Sequence, residues 1–417
     1  MRRNSFKAFG ILAFLYLGNL FVFGSTHTSD GETPINIGHL LSQKGSFKDK
    51  SEYAVMGARL ALEENNVLAG FFGKQFNLIS ENYTHSEMAL QKALKLIQEE
   101  NVVAIVGNLD DESSRLISEL TQMHEVPFFN SASKADSLRG VDCHRYTFHL
   151  EASAAIYINA IGNWLIHKKN LTRWYFLTDN SPANINIYEQ AKNYLKNENG
   201  EEVGHKIVST DKSTYHSLLN KINHANPDAI FVILNSDDQI NFLKQYKKRN
   251  LPIQVVSAYM DIVQLWKNKT KNLTGVWPTI WYHELFRYSA RELNNRFFNK
   301  YNKPMDSAAW ANWAAVKFIG EVVIRSQSTE GKKIIEYLEN EPPFDGHKGN
   351  ALTFRNRDHQ LKQPLHLVTP RTEPGRREWD ILKVVTPVPL PGIKVEGNTL
   401  EKWEVPHSEC QCQLEPL

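Results

Sequence analysis

Cysteine is scarce in this sequence of 417 residues, which contains Cys143, Cys410 and Cys412 and no others. Three cysteines are too few for a fold held together by disulfides, although an exported protein can hold one such bond. Cys143 could pair with either member of the C-terminal pair, and the odd count would leave one free thiol. The sequence alone does not decide between the two pairings.

An excess of charge of either sign is also lacking. The chain has 48 basic and 46 acidic residues, and its formal net charge is +2. This balance gives no indication of binding to nucleic acid or to a membrane surface. Beyond the N-terminus, no apolar run reaches about 18 residues, which is the length expected of a membrane-spanning helix. We therefore expect a soluble mature chain.

The motifs of the common enzyme classes are missing as well. The sequence contains no G-x-S-x-G, no P-loop, no G-x-G-x-x-G and no H-E-x-x-H. His39, His283 and His359 are scattered, without the spacing of a transition-metal site. We predict a binding protein rather than an enzyme, with neither a cofactor nor a bound metal.

The N-terminus has the pattern of a secretory signal peptide. Arg2, Arg3 and Lys7 precede the apolar stretch 8–23, and small residues allow cleavage before Ser25. This stretch is shorter than the roughly 20 residues of a spanning helix. We predict a signal peptide over residues 1–24 and export to the periplasm, with an uncleaved anchor as the alternative.

The next hundred residues alternate between short β-branched runs and amphipathic segments. This pattern predicts a parallel sheet with helices on both faces. We expect Ser86 to cap the second helix and the third helix to begin at Ser113. The predicted strands are 35–41, 76–80, 102–106 and 126–129.

A second alternation of similar size follows over residues 153–258. Together the two units predict two doubly wound α/β lobes that are joined by a hinge and separated by a cleft. The predicted first lobe comprises 35–150 and 283–348, and the second comprises 151–282 and 349–385. Residues 369–417 are rich in proline and are expected to pack loosely, with 386–417 as the C-terminal tail.

Polar segments follow several of the predicted strands. In open α/β sheets, ligands bind outside the carboxyl ends of the strands, so these segments are candidate ligand contacts. Asp110, Asp111 and Glu112 also precede a helix, where acids stabilise the helix N-terminus, and this structural role is the alternative. The candidates from strand ends are Asp110, Asp111, Ser131, Ala132, Ser133, Asn180, Ser236 and Tyr259.

At this point the sequence resembles a known family, the type I periplasmic binding proteins, over residues 35–368. The resemblance lies in the order and spacing of INIGHLLSQKGSF, MGARLALEENN, VVAIVGNLDDESS, VPFFNSAS, NPDAIFVILNSDD and SAAWANWAAV. DGHKGNALTFRNRDHQLKQPLHLV further resembles the subfamily encoded with PQQ-dependent alcohol dehydrogenase systems. The resemblance implies a monomeric solute-binding component of an ABC transporter, with an inner-membrane permease as its partner.

The resemblance also implies roles for site residues. The loop that binds the ligand carboxylate in amino-acid binders matches residues 110–112 here, and the next, hydroxyl-rich loop matches 131–133. Tyr188 matches the aromatic residue that covers the ligand, and Tyr259 falls near the acid that binds the ligand ammonium. Acids at 110–112 would repel a carboxylate, so we expect an alcohol-derived, cationic or metal-bearing ligand.

Two other functions are compatible with the sequence. The same fold could serve a sensory or accessory module that reports ligand occupancy to a membrane or quinoprotein partner. Four N-x-S/T sequons, at Asn82, Asn170, Asn268 and Asn272, suggest an extracellular receptor domain as a third alternative.

Overall fold

The computed structural model describes residues 33–209, 214–269, 273–373 and 375–391, together with Cys412 and Leu414. The predicted signal peptide and Cys410 lie outside the described residues. Across the part of the chain that is described, no helix is both long enough and apolar enough to cross a bilayer.

The first sheet has five parallel strands, which lie in the order β2-β1-β3-β4-β5. The strands are β1 (Ile35–Ser42), β2 (Phe76–Tyr83), β3 (Ile105–Asn108), β4 (Phe128–Asn130) and β5 (Thr147–His149). The connecting helices are α1 (Phe47–Gly70), α2 (Ser86–Gln98) and α3 (Asp111–Met123). The alternation predicted from sequence is therefore confirmed for this half of the fold.

The second sheet has four parallel strands in the order β7-β6-β8-β9. These are β6 (Arg173–Asp179), β7 (Glu201–Val208), β8 (Ala229–Ile233) and β9 (Gln254–Ser257). Its helices are α4 (Ala154–Asn163, continued by a π turn to Lys168), α5 (Pro182–Asn197), α6 (His216–Ala225), α7 (Ser236–Arg249) and α8 (Ile262–Lys267). The predicted α/β class with parallel sheets holds for both halves.

The chain then returns to both sheets. It forms β10 (Trp277–Thr279), α9 (Ala290–Tyr301), α10 (Ser307–Ser326) and α11 (Gly331–Glu339). Five short strands follow: β11 (Phe344–Asp345), β12 (Ala351–Phe354), β13 (Leu361–Lys362), β14 (Leu365–Pro370) and β15 (Leu382–Val388). Strands β11 to β13 form one small antiparallel sheet, and β10, β14 and β15 form another.

Helices α1 and α10 pack very closely against each other. A Cβ atom added to Gly57 would lie 1.9 Å from the carbonyl oxygen of Ala309, so only glycine fits there. Further along, Gly320 lies against the side chain of Asn65, whose Nδ2 donates to the Val316 carbonyl at 2.7 Å. The order of these contacts shows that the two helices are parallel. Both helix N-termini therefore lie at the carboxyl end of the first sheet.

Residues 349–363 pack against the first sheet, although the sequence predicted them in the second lobe. Phe354 contacts Phe148 edge to face, with ring centroids 4.9 Å apart. His149 of β5 forms an isolated bridge with Gln360. Alternation within short strands predicts burial but not which sheet is covered, so the sequence could not make this assignment.

Several local predictions were wrong by a few residues. Strand β3 lies at 105–108 rather than at 102–106. Helix α3 begins at Asp111 because Asp110 caps it. His85 caps α2 instead of Ser86, since its Nδ1 accepts the Met88 N–H at 3.3 Å.

Residues 382–388 are more ordered than predicted. Strand β15 pairs with β14 from Leu365 to Pro370, so residues expected to pack loosely complete a sheet. A disulfide joins Cys143 to Cys412 and resolves the choice that the sequence left open.

Candidate functional site

A cavity of about 510 Å³ lies between the two sheets. We call its lining residues between 46 and 137, with 306–308, the first wall, and its lining residues between 151 and 279 the second wall. The first wall comes from the ends of β3 and β4 and the N-termini of α1, α3 and α10. The second comes largely from the N-terminal ends of α4, α5, α7 and α8. The cavity thus occupies the place where ligands bind in such sheets.

Asp110 and Asp111 are neighbours on the first wall with different bonding. The Oδ1 of Asp110 accepts the Ser113 N–H at 3.0 Å, while its Oδ2 accepts the hydroxyls of Ser113 and Tyr83, each at 3.0 Å. Asp110 is therefore the N-cap of α3, as the structural alternative predicted. Asp111 accepts one hydrogen bond, from the Ser133 hydroxyl to its Oδ1 at 2.6 Å.

The hydroxyl-rich loop after β4 is held by Asn130. Its Oδ1 accepts the backbone N–H groups of Ala132 and Ser133, at 3.2 and 2.9 Å. The Ser131 hydroxyl donates to the Gly107 carbonyl at 2.9 Å, which ties this loop to the end of β3. Ser131 and Ala132 line the cavity. Ser133 does not line it, but its hydroxyl donates a hydrogen bond to Asp111, which does.

A charged cluster joins α1, α8 and α10. The Lys50 ammonium lies 3.1 Å from the Asp261 carboxylate of the second wall. Burial acts to lower the pKa of Lys50, but the nearby carboxylates outweigh it and the pKa is raised. Asp306 caps α10 through the Ala309 N–H at 2.8 Å. Burial raises the pKa of Asp306 to about 7 although backbone N–H groups oppose the shift.

A second lysine of the first wall faces the second wall. The Lys134 ammonium lies 3.4 Å from the Glu151 carboxylate and 5.6 Å from the ring centroid of Tyr259. Glu151 also accepts the Tyr157 hydroxyl at 2.7 Å. Each lysine of the first wall is thus paired with a carboxylate of the second.

The second wall is organised by Asp179, which lies behind it and is buried. Asp179 accepts the N–H and the hydroxyl of Ser181, the Asn184 amide at 2.8 Å and the Asn235 N–H at 2.9 Å. The Tyr259 hydroxyl in turn donates to Asn184 Oδ1 at 3.1 Å. The Asn184 amide and the Tyr259 hydroxyl are therefore already bonded within the wall.

The structure brings together most of the candidates named from sequence. Those that line the cavity are Asp110, Asp111, Ser131, Ala132, Ser236 and Tyr259. Asn180 and Tyr188 do not line it. Asn180 is exposed in the turn before α5, and Tyr188 stacks on His205 with ring centroids 3.8 Å apart and donates to Glu202.

Sequence reasoning missed the charged residues on other segments. Lys50, Lys134, Asp136, Glu151, Asp261 and Asp306 all line the cavity. Asp306 had an available signal, because aspartate is a favoured N-cap residue and Asp306 directly precedes α10, as Asp110 precedes α3. Helix α8 was not predicted, so Asp261 had no such signal.

Among the described residues, one cluster of potential metal ligands comprises His283, Glu284 and Asp380, and it lies outside the cavity lining. Its members are already paired. His283 Nε2 lies 2.9 Å from Asp380, and Glu284 pairs with Arg371. These pairs account for the cluster without a metal ion.

Comparison with known proteins identifies the class that this fold and cavity define. The family model described as periplasmic binding protein matches residues 34–373. The chain therefore belongs to the periplasmic binding protein family. A curated relative, Leu/Ile/Val-binding protein homolog 7 of Brucella abortus, is 26% identical over 110 residues, which cover 26% of this chain and 28% of that protein.

Solved structures agree on the fold. A branched chain amino acid ABC transporter periplasmic ligand-binding protein from Burkholderia xenovorans superposes with a TM-score of 0.80 at 19% identity, covering 91% of this chain and 99% of that one. An ABC transporter solute binding protein from R. palustris, in complex with benzoate, gives a TM-score of 0.68 at 16% identity, covering 85% and 96%. At these identities the likeness establishes the type I periplasmic binding protein fold alone.

Proposed function

We propose that the chain is the solute-binding protein of an ABC transporter and holds a small molecule in the cavity between its two walls. The observation that carries this proposal is that both sheets contribute strand ends and helix N-termini to one cavity of about 510 Å³. A solute there contacts both walls at once, and such a ligand favours the closed arrangement of hinged lobes. Membership of the periplasmic binding protein family supports the proposal.

The partners follow from the same proposal. The chain works in the periplasm after removal of residues 1–24, as a monomer, and delivers its solute to a permease in the inner membrane. The solved relatives described as ABC transporter proteins support this assignment. Binding involves no catalysis in this account, because the contacts between the walls and the solute are sufficient for capture.

We further propose that the transported solute is linked to PQQ-dependent alcohol oxidation. The support is that residues 345–368 resemble the subfamily encoded with PQQ-dependent alcohol dehydrogenase systems. This segment is built around Lys348, whose ammonium is buried and lies 3.8 Å from the ring centroid of Trp310. Lys348 also donates to Gln363, whose Nε2 reaches the Leu150 carbonyl at 2.5 Å. These residues lie outside the cavity lining. The segment therefore supports a relationship to that subfamily, but it does not contact the ligand.

Native mass spectrometry of the protein purified from its natural compartment tests the proposal. We expect a retained small molecule that is released on denaturation. Asn186 is exposed on α5 and lines the cavity, so Asn186→Trp should fill the site and abolish retention.

Asn193 provides the matched control, since it is also exposed on α5 but lies two turns away and outside the lining. Asn193→Trp should retain the solute as the wild type does. A wild-type protein that retains nothing, or equal retention by the two variants, would contradict the proposed function.

A further inference from the structure

The cavity carries an excess of negative charge. Its lining includes two ammonium groups, those of Lys50 and Lys134, and six carboxylates. The carboxylates are Asp110, Asp111, Asp136, Glu151, Asp261 and Asp306. A ligand that enters this site therefore meets more negative than positive groups.

Both ammonium groups are already engaged by the opposite wall. Lys50 pairs with Asp261 at 3.1 Å and Lys134 with Glu151 at 3.4 Å. No cation of the lining is thus left over for a ligand carboxylate. The four remaining carboxylates all belong to the first wall.

Three of these four carboxylates have partners that account for them. Asp110 caps helix α3, whose positive end stabilises a negative charge, and Asp306 caps α10, although burial raises its pKa to about 7. Asp136 accepts the Gln190 amide at 2.9 Å and the Ala155 N–H at 3.1 Å, both from helices beside the second sheet. Asp111 differs from them, because no donor among the described residues reaches its Oδ2.

Asn108 supplies an independent sign of the same ligand chemistry. The hydroxyl of Ser51 donates its single proton to the Ser42 carbonyl at 2.7 Å. It can therefore only accept from Asn108, and this fixes Nδ2 as the atom that lies 3.0 Å away. Oδ1 of Asn108 is then left buried without a partner, on a residue that lines the cavity. A buried acceptor without a donor is rare and costly.

The second wall gives the body of the ligand a different environment. Apart from the two paired carboxylates, its lining is uncharged, and it includes Ile187, Leu234 and Met260. The polar groups of Asn184 and Tyr259 are bonded to each other. This wall therefore suits the apolar or neutral part of a small molecule.

We infer that the solute is a small organic cation that carries an amine or ammonium group and no carboxylate. Its positive group binds on the first wall, at Asp111 and Asn108, and its body lies against the second wall. This inference rests on the proposed function, because it assigns a ligand class to the same cavity.

Calorimetric titration at neutral pH with two matched series tests the ligand class. One series is 2-phenylethylamine, 2-phenylethanol and phenylacetate, and the other is butylamine, butan-1-ol and butyrate. We expect the amine of at least one series to bind at least tenfold more tightly than its alcohol and carboxylate. Equal responses within both series, including no response at all, would overturn the inference.

Substitutions at Asp111 and Glu112 test where the positive group of the solute binds. Asp111→Asn should weaken amine binding by about tenfold to a hundredfold, since it removes a charged hydrogen-bond partner. Glu112→Gln is the matched control, because Glu112 is the next residue on α3 and does not line the cavity, and it should change binding by less than threefold. Equal effects of the two variants would overturn the assignment to Asp111.

The retained solute separates this inference from the proposed function. A retained molecule without a positive charge would overturn the cationic class while solute binding stands. The Asn186→Trp and Asn193→Trp pair reports on solute binding whatever the charge of the solute.

Discussion

Asp111 and Asp179 show how differently the two walls use a carboxylate. Asp179 is buried behind the second wall and accepts hydrogen bonds from Ser181, Asn184 and Asn235. Asp111 lies on the first wall, is exposed, and accepts one bond from Ser133. A carboxylate whose acceptor sites are filled by the protein holds the fold, whereas one with an open oxygen is available to a ligand.

The same contrast holds for each wall as a whole. The second wall keeps its organising charge, Asp179, behind the lining, and the polar groups of Asn184 and Tyr259 are already bonded there. The first wall presents charge directly, and part of that charge serves to cap helices. The following predictions test this division, from the largest expected effect to the smallest.

Asp179→Ala should cause the largest loss of stability. It leaves the Asn235 N–H, the Ser181 N–H and the Asn184 amide without their acceptor. We expect the free energy of unfolding to fall by about 3–5 kcal/mol, as for loss of a buried polar network. Urea denaturation measures this, and a loss below about 1 kcal/mol would show that Asp179 is not the centre of the second wall.

Asp306 should make stability depend on pH. Its pKa is raised to about 7 in the folded protein, from an ordinary value of 3.8, chiefly by burial. Between these values the unfolded chain releases the proton while the folded protein keeps it, so this contribution to stability falls as the pH rises. Relative to Asp306→Asn, the wild type should lose about 2–4 kcal/mol between pH 4 and pH 7. Parallel profiles of unfolding free energy against pH would contradict this.

Alanine substitutions at Asp110 and Asp111 should lower the free energy of unfolding by different amounts. Asp110→Ala removes the N-cap of α3 and should lower the free energy of unfolding by about 1–2 kcal/mol. Asp111→Ala should cost less than about 0.5 kcal/mol, because its side chain is exposed and singly bonded. Thermal and chemical unfolding of the two variants compares them, and the reverse order would exchange their structural and ligand-binding roles.

A small effect is also expected where the two halves meet at the surface. Lys267 of α8 lies 2.8 Å from Asp49 of α1, and its side chain is 59% exposed. Lys267→Ala should change the free energy of unfolding by less than about 1 kcal/mol, since exposed ion pairs contribute little. A larger loss in urea denaturation would mean that this contact, rather than the walls, holds the halves together.

Much of the fold could be predicted because strand and helix periods are local signals. Four strands of the first sheet were predicted within three residues of their observed bounds. Strand β15 was missed because proline-rich sequence suggests loose packing, while its pairing with β14 depends on a distant segment. The bond from Cys143 to Cys412 is likewise non-local.

The site could be predicted only in part. The order of strands and helices points to the loops that follow strands, and Asp111, Ser131 and Tyr259 of those loops line the cavity. Tyr188 was misplaced because Ile187, one residue before it, lines the cavity, and a helix turns about 100° per residue, so Tyr188 packs on Phe176 instead.

The crystal structure of the protein with the solute that it retains tests the central claim most directly. We predict density for a small molecule between the two walls, with a positively charged nitrogen within hydrogen-bond distance of an Asp111 carboxylate oxygen. A solute bound outside this cavity, or one whose negative group faces Asp111, would contradict the account.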